Sequence, residues 1–253
     1  MLKIIHIINL LSLSILLSSI KCSEYASNGD WSRSKNIIDP YFPIQSKYKV
    51  GAILYEGFAM LDLIGPVDIL SGVSDKFEIE TIGLETNSTI TPMFEATSFN
   101  SKLSMKQAIE KEWDILLTPG GYGVDKLIEN QEFIENYKKL IAKSKVIFTV
   151  CTGSLALAKT GLLNGFKATT NKVSYQKETP LYPEVDWQPR ARWVHHRQFI
   201  TSSGIAAGMD SAFYIVSLAK SREEAEKFSK GMEYVPNWDP DNDLFAVNIT
   251  KSK

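Results

Sequence analysis

Residues 145–154 read KVIFTVCTGS. Lys145 to Val150 is a short apolar run suited to a strand buried on both faces, as in a parallel sheet. Cys151 follows it directly, and Thr152-Gly153-Ser154 then leads into a helical stretch from Gly153 to Leu163, ended by Asn164-Gly165. Strand, tight turn and helix in that order form the setting of a nucleophile elbow, which holds a reactive side chain at the carboxyl end of a sheet strand. A helix N-terminus at that point, with its unpaired N–H groups, is expected to lower the thiol pKa. An inert buried cysteine is the competing reading, because free cysteine is often buried as a small apolar residue.

The same alternation continues on both sides of the elbow. Lys49–Tyr55 (KVGAILY) and Asp114–Thr118 (DILLT) read as buried strands, and Phe77–Leu84 (FEIETIGL) as an alternating one. Pro92–Phe99 is a weaker strand candidate. Gly65-Pro66 is expected to open a helix through Leu70. Ser104-Met-Lys-Gln107 and Ser221-Arg-Glu-Glu224 have the form of capping boxes. Glu132–Ala142 carries Phe133, Ile134, Tyr137 and Ile141 at helical spacing. Arg192–His195 and Phe199–Ser202 read as a hairpin, Ala206–Lys220 as a long apolar helix, and a final helix runs to about Tyr234. Short strands alternating with helices imply a mostly parallel sheet covered on both faces.

The 253 residues suffice for one sizeable domain, and 44% hydrophobic with 23% charged residues is an ordinary globular balance, so a packed core is expected. A net charge of -1 argues against a nucleic-acid partner. Residues Ile4 to Ile20 are almost wholly apolar after Lys3, shorter than a spanning helix needs. Residues 1–22 are read as a secretory signal peptide, with a signal anchor as the alternative, and 23–46 as a polar linker or arm. The domain is then 47–247, secreted or in the secretory lumen, with no membrane anchor once the signal is cleaved. Cys22 and Cys151 are the only cysteines, so no disulfide framework supports the fold. Asn87-Ser-Thr89 and Asn248-Ile-Thr250 are sequons, making Asn87 and Asn248 candidate glycan sites.

Further residues bear on chemistry. Pro119-Gly120-Gly121 ends a buried strand, and glycines there let backbone N–H groups approach a developing negative charge. A plain turn is the alternative. In a parallel sheet this turn shares the carboxyl edge with Cys151, where ligands bind. Asp62 is a lone acid in Leu61-Asp62-Leu-Ile-Gly-Pro66; burial would raise its pKa and suit it to proton transfer, although a helix-cap or turn acid is the simpler reading. His195 and His196 are expected to be exposed on their hairpin and not to pair with Cys151. No Cys/His cluster with metal-ligand spacing exists, so neither metal nor cofactor is expected.

Together the segments KVGAILYEGF with LDLIGP, TPGGYG, VCTGS with ALAKTGLLNG, and KATTN followed by TSSGIAAGMD resemble the ThiJ/PfpI family of the class I glutamine-amidotransferase-like superfamily, over about Lys47 to Ala246. Cys-Thr-Gly-Ser with Leu-Asp-Leu-Ile-Gly-Pro resembles the branch that contains isocyanide hydratase. The resemblance implies a flavodoxin-like three-layer α/β sandwich, often a homodimer, acting on a small molecule. It implies Cys151 as nucleophile, Asp62 as its acid/base neighbour, and the N–H groups of Gly121 and Thr152 as oxyanion donors beside Gly120. The hydratase adds water to an isocyanide and gives an N-substituted formamide. Asn171 stands where that branch carries a histidine. Two alternatives are a glyoxalase or deglycase acting on small dicarbonyls, against which Thr152 counts, and a redox-sensing or binding module that uses the same thiol.

Overall fold

The computed structural model describes residues 39, 41–42, 44–73, 75–95 and 97–248. The signal segment, Cys22 and most of the arm lie outside the described residues, as does Thr250 of the second sequon.

The sheet strands are β1 (Tyr48–Ile53), β2 (Phe77–Gly83), β5 (Leu103–Ser104), β6 (Trp113–Thr118), β7 (Ser144–Thr149), β10 (Trp193–His196) and β11 (Phe199–Ser202). Two-residue pairs lie beside the sheet: β3 (Thr89–Ile90) with β4 (Phe99–Asn100), and β8 (Lys167–Ala168) with β9 (Asp186–Trp187). The order across the sheet is β10-β11-β7-β6-β1-β2-β5, and every neighbour pair is parallel except the β10–β11 hairpin. From β1 the chain builds outward to β2 and β5, then returns to place β6 and β7 on the other side. That reversal opens a crevice at the carboxyl ends of β1 and β6, the usual ligand position in such sheets.

Two helical layers cover the sheet. On one face α1 (Met60–Gly72) packs against α7 (Ala207–Ala219), and α7 against α8 (Arg222–Gly231). On the other, α2 (Met105–Ile109) packs on α4 (Gln131–Ala142), and α3 (Val124–Glu129) on α4 and α5 (Gly153–Lys159). The remaining helix, α6 (Lys172–Glu178), continues into a 3-10 turn. This is the flavodoxin-like three-layer arrangement expected from the alternation of elements. The apolar runs of β1, β6 and β7 are buried almost throughout, as interior strands of a sheet covered on both faces must be.

Local signals account for much of this. Ser104 caps α2 with the full reciprocal box to Gln107. Ser221 caps α8 by accepting the Glu224 N–H at 3.2 Å. On α4 the expected stripe of Phe133, Ile134, Tyr137 and Ile141 is buried. Three expectations are corrected. The first helix starts at Met60, not Gly65, and carries Pro66 in its interior; packing of its buried face against α7 outweighs the local breaker signal. Pro92 to Glu95 forms a turn, with the Glu95 N–H on the Pro92 carbonyl at 3.0 Å, so no strand spans Pro92–Phe99. The elbow helix stops at Lys159 because Gly161 takes a φ of +78°, four residues before the Gly165 stop expected from sequence.

Among the described arm residues, Phe42 is buried and its ring lies 5.1 Å from that of Tyr48. The end of the polar arm is therefore packed on the core. Both sequon asparagines, Asn87 and Asn248, are exposed. No described helix is long and apolar enough to cross a membrane.

Candidate active site

Register brings the site together. In the parallel β6–β7 pair Thr118 lies opposite Thr149. The residues that follow, Pro119-Gly120-Gly121 and Val150-Cys151-Thr152, leave the sheet side by side at its carboxyl edge. The elbow is strained: Cys151 has φ +58°, an unusual value for a side chain with a Cβ, at a cost on the order of 1 kcal/mol. Backbone bonds hold it there. The Cys151 N–H is shared between the carbonyls of Ser202 (3.2 Å) and Ser203 (3.0 Å), and its own carbonyl accepts the hydroxyls of Ser154 and Thr170, each at 3.1 Å.

The glycine turn is fitted against this elbow. A Cβ on Gly120 would sit 2.5 Å from the Thr152 nitrogen and 2.9 Å from the Cys151 Cβ. Gly121 has φ +129°, and a Cβ there would meet the Ala59 nitrogen at 2.4 Å. Only glycine fits both positions. The Gly120 N–H donates to Asp62 Oδ2 at 2.9 Å, and the Gly121 N–H to Thr152 Oγ1 at 3.0 Å. The N–H expected to serve as an oxyanion donor at Gly121 is thus held by the Thr152 hydroxyl. The Thr152 N–H favours the ionised form of the Cys151 thiol. Tyr55, just past β1, donates its hydroxyl to the Pro119 carbonyl at 2.9 Å and fixes the turn from behind.

Asp62, in the first turn of α1, is fully buried. Its Oδ1 meets no donor at full hydrogen-bond geometry among the described residues, although the Cys151 thiol lies close enough to favour its ionised form. Burial wins: the carboxyl is raised to about 7, against the Gly120 N–H and the thiol, which pull it down. The Cys151 thiol is pushed up to about 12, first by burial and then by the negative charge of Asp62. The Thr152 N–H and the Asn171 and Thr152 side chains oppose this rise. The expected lowering of the thiol pKa is thus overturned. With two buried acids side by side, desolvation and mutual repulsion outweigh what the short α5 provides. Near neutral pH the site holds a thiol beside a carboxyl group that titrates.

Asn171 caps α6: its Oδ1 accepts the N–H groups of Val173 (2.8 Å) and Ser174 (3.3 Å). That fixes the amide near the elbow, where it favours the ionised form of the Cys151 thiol. The residue noted as a departure from the hydratase branch is therefore part of the site. Tyr55 and Thr170 were not identifiable as site residues from local pattern. Thr170 lies in the KATTN run, and Tyr55 ends an apolar strand, a position compatible with simple core packing.

The histidines differ from expectation in one respect. The His195 side chain is buried, not exposed: its Nδ1 lies 2.8 Å from the Tyr214 hydroxyl and its Nε2 2.7 Å from the Arg197 carbonyl, and burial lowers its pKa. His196 Nδ1 accepts the Lys167 N–H at 2.8 Å. Both rings spend their hydrogen bonds away from Cys151, on the outer hairpin. No group of three or more His, Cys, Asp or Glu side chains suited to a metal ion occurs among the described residues.

A strained cysteine at a strand–helix elbow, a buried carboxyl group and a glycine turn thus meet at the carboxyl edge of a parallel α/β sheet. Residues 48–218 match the DJ-1/PfpI family, and the chain belongs to that family. It is 28% identical over 189 residues to the isonitrile hydratase of Pseudomonas putida, covering 74% of this chain and 79% of the hydratase. It is 23% identical over 124 residues to protein/nucleic acid deglycase 2 of Escherichia coli, covering 49% of this chain and 71% of the deglycase. Among solved structures, a ThiJ/PfpI family protein from Pseudomonas syringae superposes with a TM-score of 0.68 at 24% identity, over 82% of this chain and 84% of that one. The chain is thus related to enzymes of more than one activity.

Proposed function

We propose that this protein is a cofactor-independent hydratase that adds water to an organic isocyanide. The observation that carries the reading is the pairing of Cys151 with the buried Asp62 at the carboxyl edge of the sheet. Identity to the Pseudomonas putida isonitrile hydratase over most of both chains supports the choice of substrate class.

The chemistry balances on these two side chains. A carboxyl group titrating near 7 and a thiol titrating near 12 leave Asp62 as the base and Cys151 as the proton source. As the sulfur adds to the terminal isocyanide carbon, Asp62 takes the thiol proton and passes it to that carbon, giving a thioimidate, R–N=CH–S–Cys151. Water then adds to the carbon while the nitrogen takes one of its protons. The C–S bond breaks, the second water proton returns through Asp62 to the sulfur, and R–NH–CHO leaves. The sum is isocyanide plus water to formamide. The Thr152 N–H and the Asn171 amide favour the ionised thiol, so they offset its charge as the proton leaves.

A deglycase-type reaction is the second reading, favoured by the likeness to the Escherichia coli enzyme. It would use the same thiol on a dicarbonyl adduct. Turnover of an aryl isocyanide to its formamide, set against turnover of methylglyoxal adducts and each with a Cys151→Ala control, separates the two. Cys151-dependent formamide production is the expected result. Dicarbonyl turnover alone would give the site to the second reading. Loss of neither substrate, with Cys151 converted to sulfinate by mild peroxide, would leave a redox-sensing thiol.

A further inference from the structure

Two exposed aromatic rings stand beside the Cys151 site and have no part in the chemistry above. Tyr122 follows Gly121 directly and is 75% exposed; Phe94 is 70% exposed. Their ring centroids lie 6.1 Å apart with the planes at 89°, an edge-to-face pair. Exposed apolar residues are ordinary when scattered singly. Two large rings in contact with each other, next to a buried thiol, leave apolar area uncovered where a ligand enters.

Backbone bonds fix the pair at that place. The turn that carries Tyr122 is the one packed on the elbow: a Cβ on Gly120 would come within 2.9 Å of the Cys151 Cβ. Tyr122 is two residues further on, at most about 7 Å of chain away. Phe94 is brought to it by the segment after β1. The Gly57 N–H donates to the Thr91 carbonyl (2.8 Å) and the Met93 N–H to the Phe58 carbonyl (2.9 Å), which seats the turn of Phe94. The Ala59 N–H donates to the Gly120 carbonyl (2.7 Å) and the Gly123 N–H to the Gly57 carbonyl (3.0 Å), which seats the glycine turn. One short segment, Gly57-Phe58-Ala59, therefore holds both ring-bearing turns, and the pair is preorganised.

The shape of the substrate supplies the occupant. An isocyanide is linear, with its reactive carbon at the tip. Cys151 is only 6% exposed, so the tip reaches the sulfur end-on and the R group stays outside, at the rim. We propose that Phe94 and Tyr122 form the subsite for that R group and select isocyanides that carry a flat aromatic ring. The inference rests on the hydratase reading and names the substrate within it. Two rings at right angles make a corner. A planar group lies on one face and meets the other ring along its edge, whereas a compact branched alkyl group touches both poorly. The corner lies away from the reacting carbon, so it contributes to binding and is read in KM.

The test is the ratio of kcat/KM for phenyl isocyanide to that for tert-butyl isocyanide. Phe94→Leu/Tyr122→Leu keeps apolar bulk and removes both aromatic faces. Each ring is worth about two- to tenfold, so the double variant should lower the ratio by on the order of tenfold, with the loss in KM for the aryl substrate. Tyr122→Phe keeps the ring and should retain most of the preference. Val235→Ala, at an exposed apolar residue after α8, serves as control and should leave the ratio in place. An unchanged ratio in the double variant, or a loss that falls equally on both substrates, overturns the subsite. So does a changed sedimentation coefficient with the ratio retained, which would give the rings to a second copy of the chain. A second arm reads binding without turnover. Formanilide, the product from the aryl substrate, should protect Cys151 from iodoacetamide at alkaline pH better than N-tert-butylformamide does, and the double variant should lose that difference. If the wild type turns over neither isocyanide while protection still follows the rings, the hydratase reading falls and the aromatic subsite stands. Protection indifferent to the rings overturns the subsite whatever the turnover.

Discussion

Asp62 Oδ2 accepts the Gly120 N–H at 2.9 Å across 58 residues of sequence, and so ties the first turn of α1 to the turn after β6. The carboxyl group is thereby fixed beside the elbow by backbone, with no ion pair to a cation among the described residues. Its protonation responds to burial and to the thiol, which is the condition for a group that takes and returns a proton near neutral pH.

Removing the nucleophile and removing the proton carrier should have separable effects. Cys151→Ala is expected to abolish isocyanide turnover. Asp62→Asn keeps an acceptor for the Gly120 N–H, so substrate should still bind, while the rate falls by about 10²–10⁴-fold. Steady-state kinetics on an aryl isocyanide check this: KM near wild type with collapsed kcat is expected, and kcat within a few-fold of wild type would rule out proton transfer by Asp62.

The same substitution should stabilise the fold in a pH-dependent way. The folded-state pKa of Asp62 is raised, so the folded protein binds its proton more tightly than the unfolded chain does. Its contribution is most favourable below the unfolded carboxylate range and declines as pH rises through about 7. A rise of that size corresponds to at most about 4 kcal/mol at alkaline pH. Asp62→Asn should therefore raise the melting temperature more at pH 8 than at pH 5. Equal melting temperatures for both proteins at pH 8 would contradict the burial cost.

Gly120→Ala should cost both fold and site. The added Cβ would press into the Thr152 nitrogen, which is backbone and cannot rotate away. Overpacking of this kind is worth about 1–3 kcal/mol, read as a lower denaturation midpoint. Wild-type stability in Gly120→Ala would mean that the turn does not approach the elbow as closely as 2.5 Å.

The arm offers a check outside the site. Phe42 lies in a stretch whose composition reads as polar linker, yet its ring is buried against Tyr48. Phe42→Ala should destabilise by roughly 3 kcal/mol if the arm end is part of the core. A change below about 0.5 kcal/mol in urea denaturation would return it to the status of a linker.

The elements legible in sequence were those with periodic burial: the runs of β1, β6 and β7, the apolar face of α4 and the capped start of α2. Cys151, Gly120 and Gly121 were legible because an elbow and a glycine turn leave local signatures. The start of α1 was not, because its pairing with α7 overrides a proline that locally reads as a helix opener. Nor was the burial of His195, which depends on Tyr214 from a helix further along the chain. The thiol pKa is not legible for a related reason: a helix end favours the thiolate locally, whereas burial and Asp62, which lies 89 residues away in sequence, oppose it.

That last reversal gives the sharpest prediction. A nucleophile activated by its helix would titrate below a free cysteine, near or under about 8.5. Burial and the Asp62 charge instead push Cys151 up to about 12. Alkylation of the protein without substrate should accordingly be slow at pH 7 and accelerate through the alkaline range. Asp62→Asn removes the negative neighbour, so the midpoint should move down while turnover falls. A more acidic thiol in a less active enzyme follows only if Asp62 works by carrying the proton and not by making the resting thiolate. Should Asp62→Asn raise the midpoint, the carboxyl group must be donating to the thiolate before substrate binds. The resting pair would then be a thiolate beside a protonated acid, with the proton already placed for delivery to carbon.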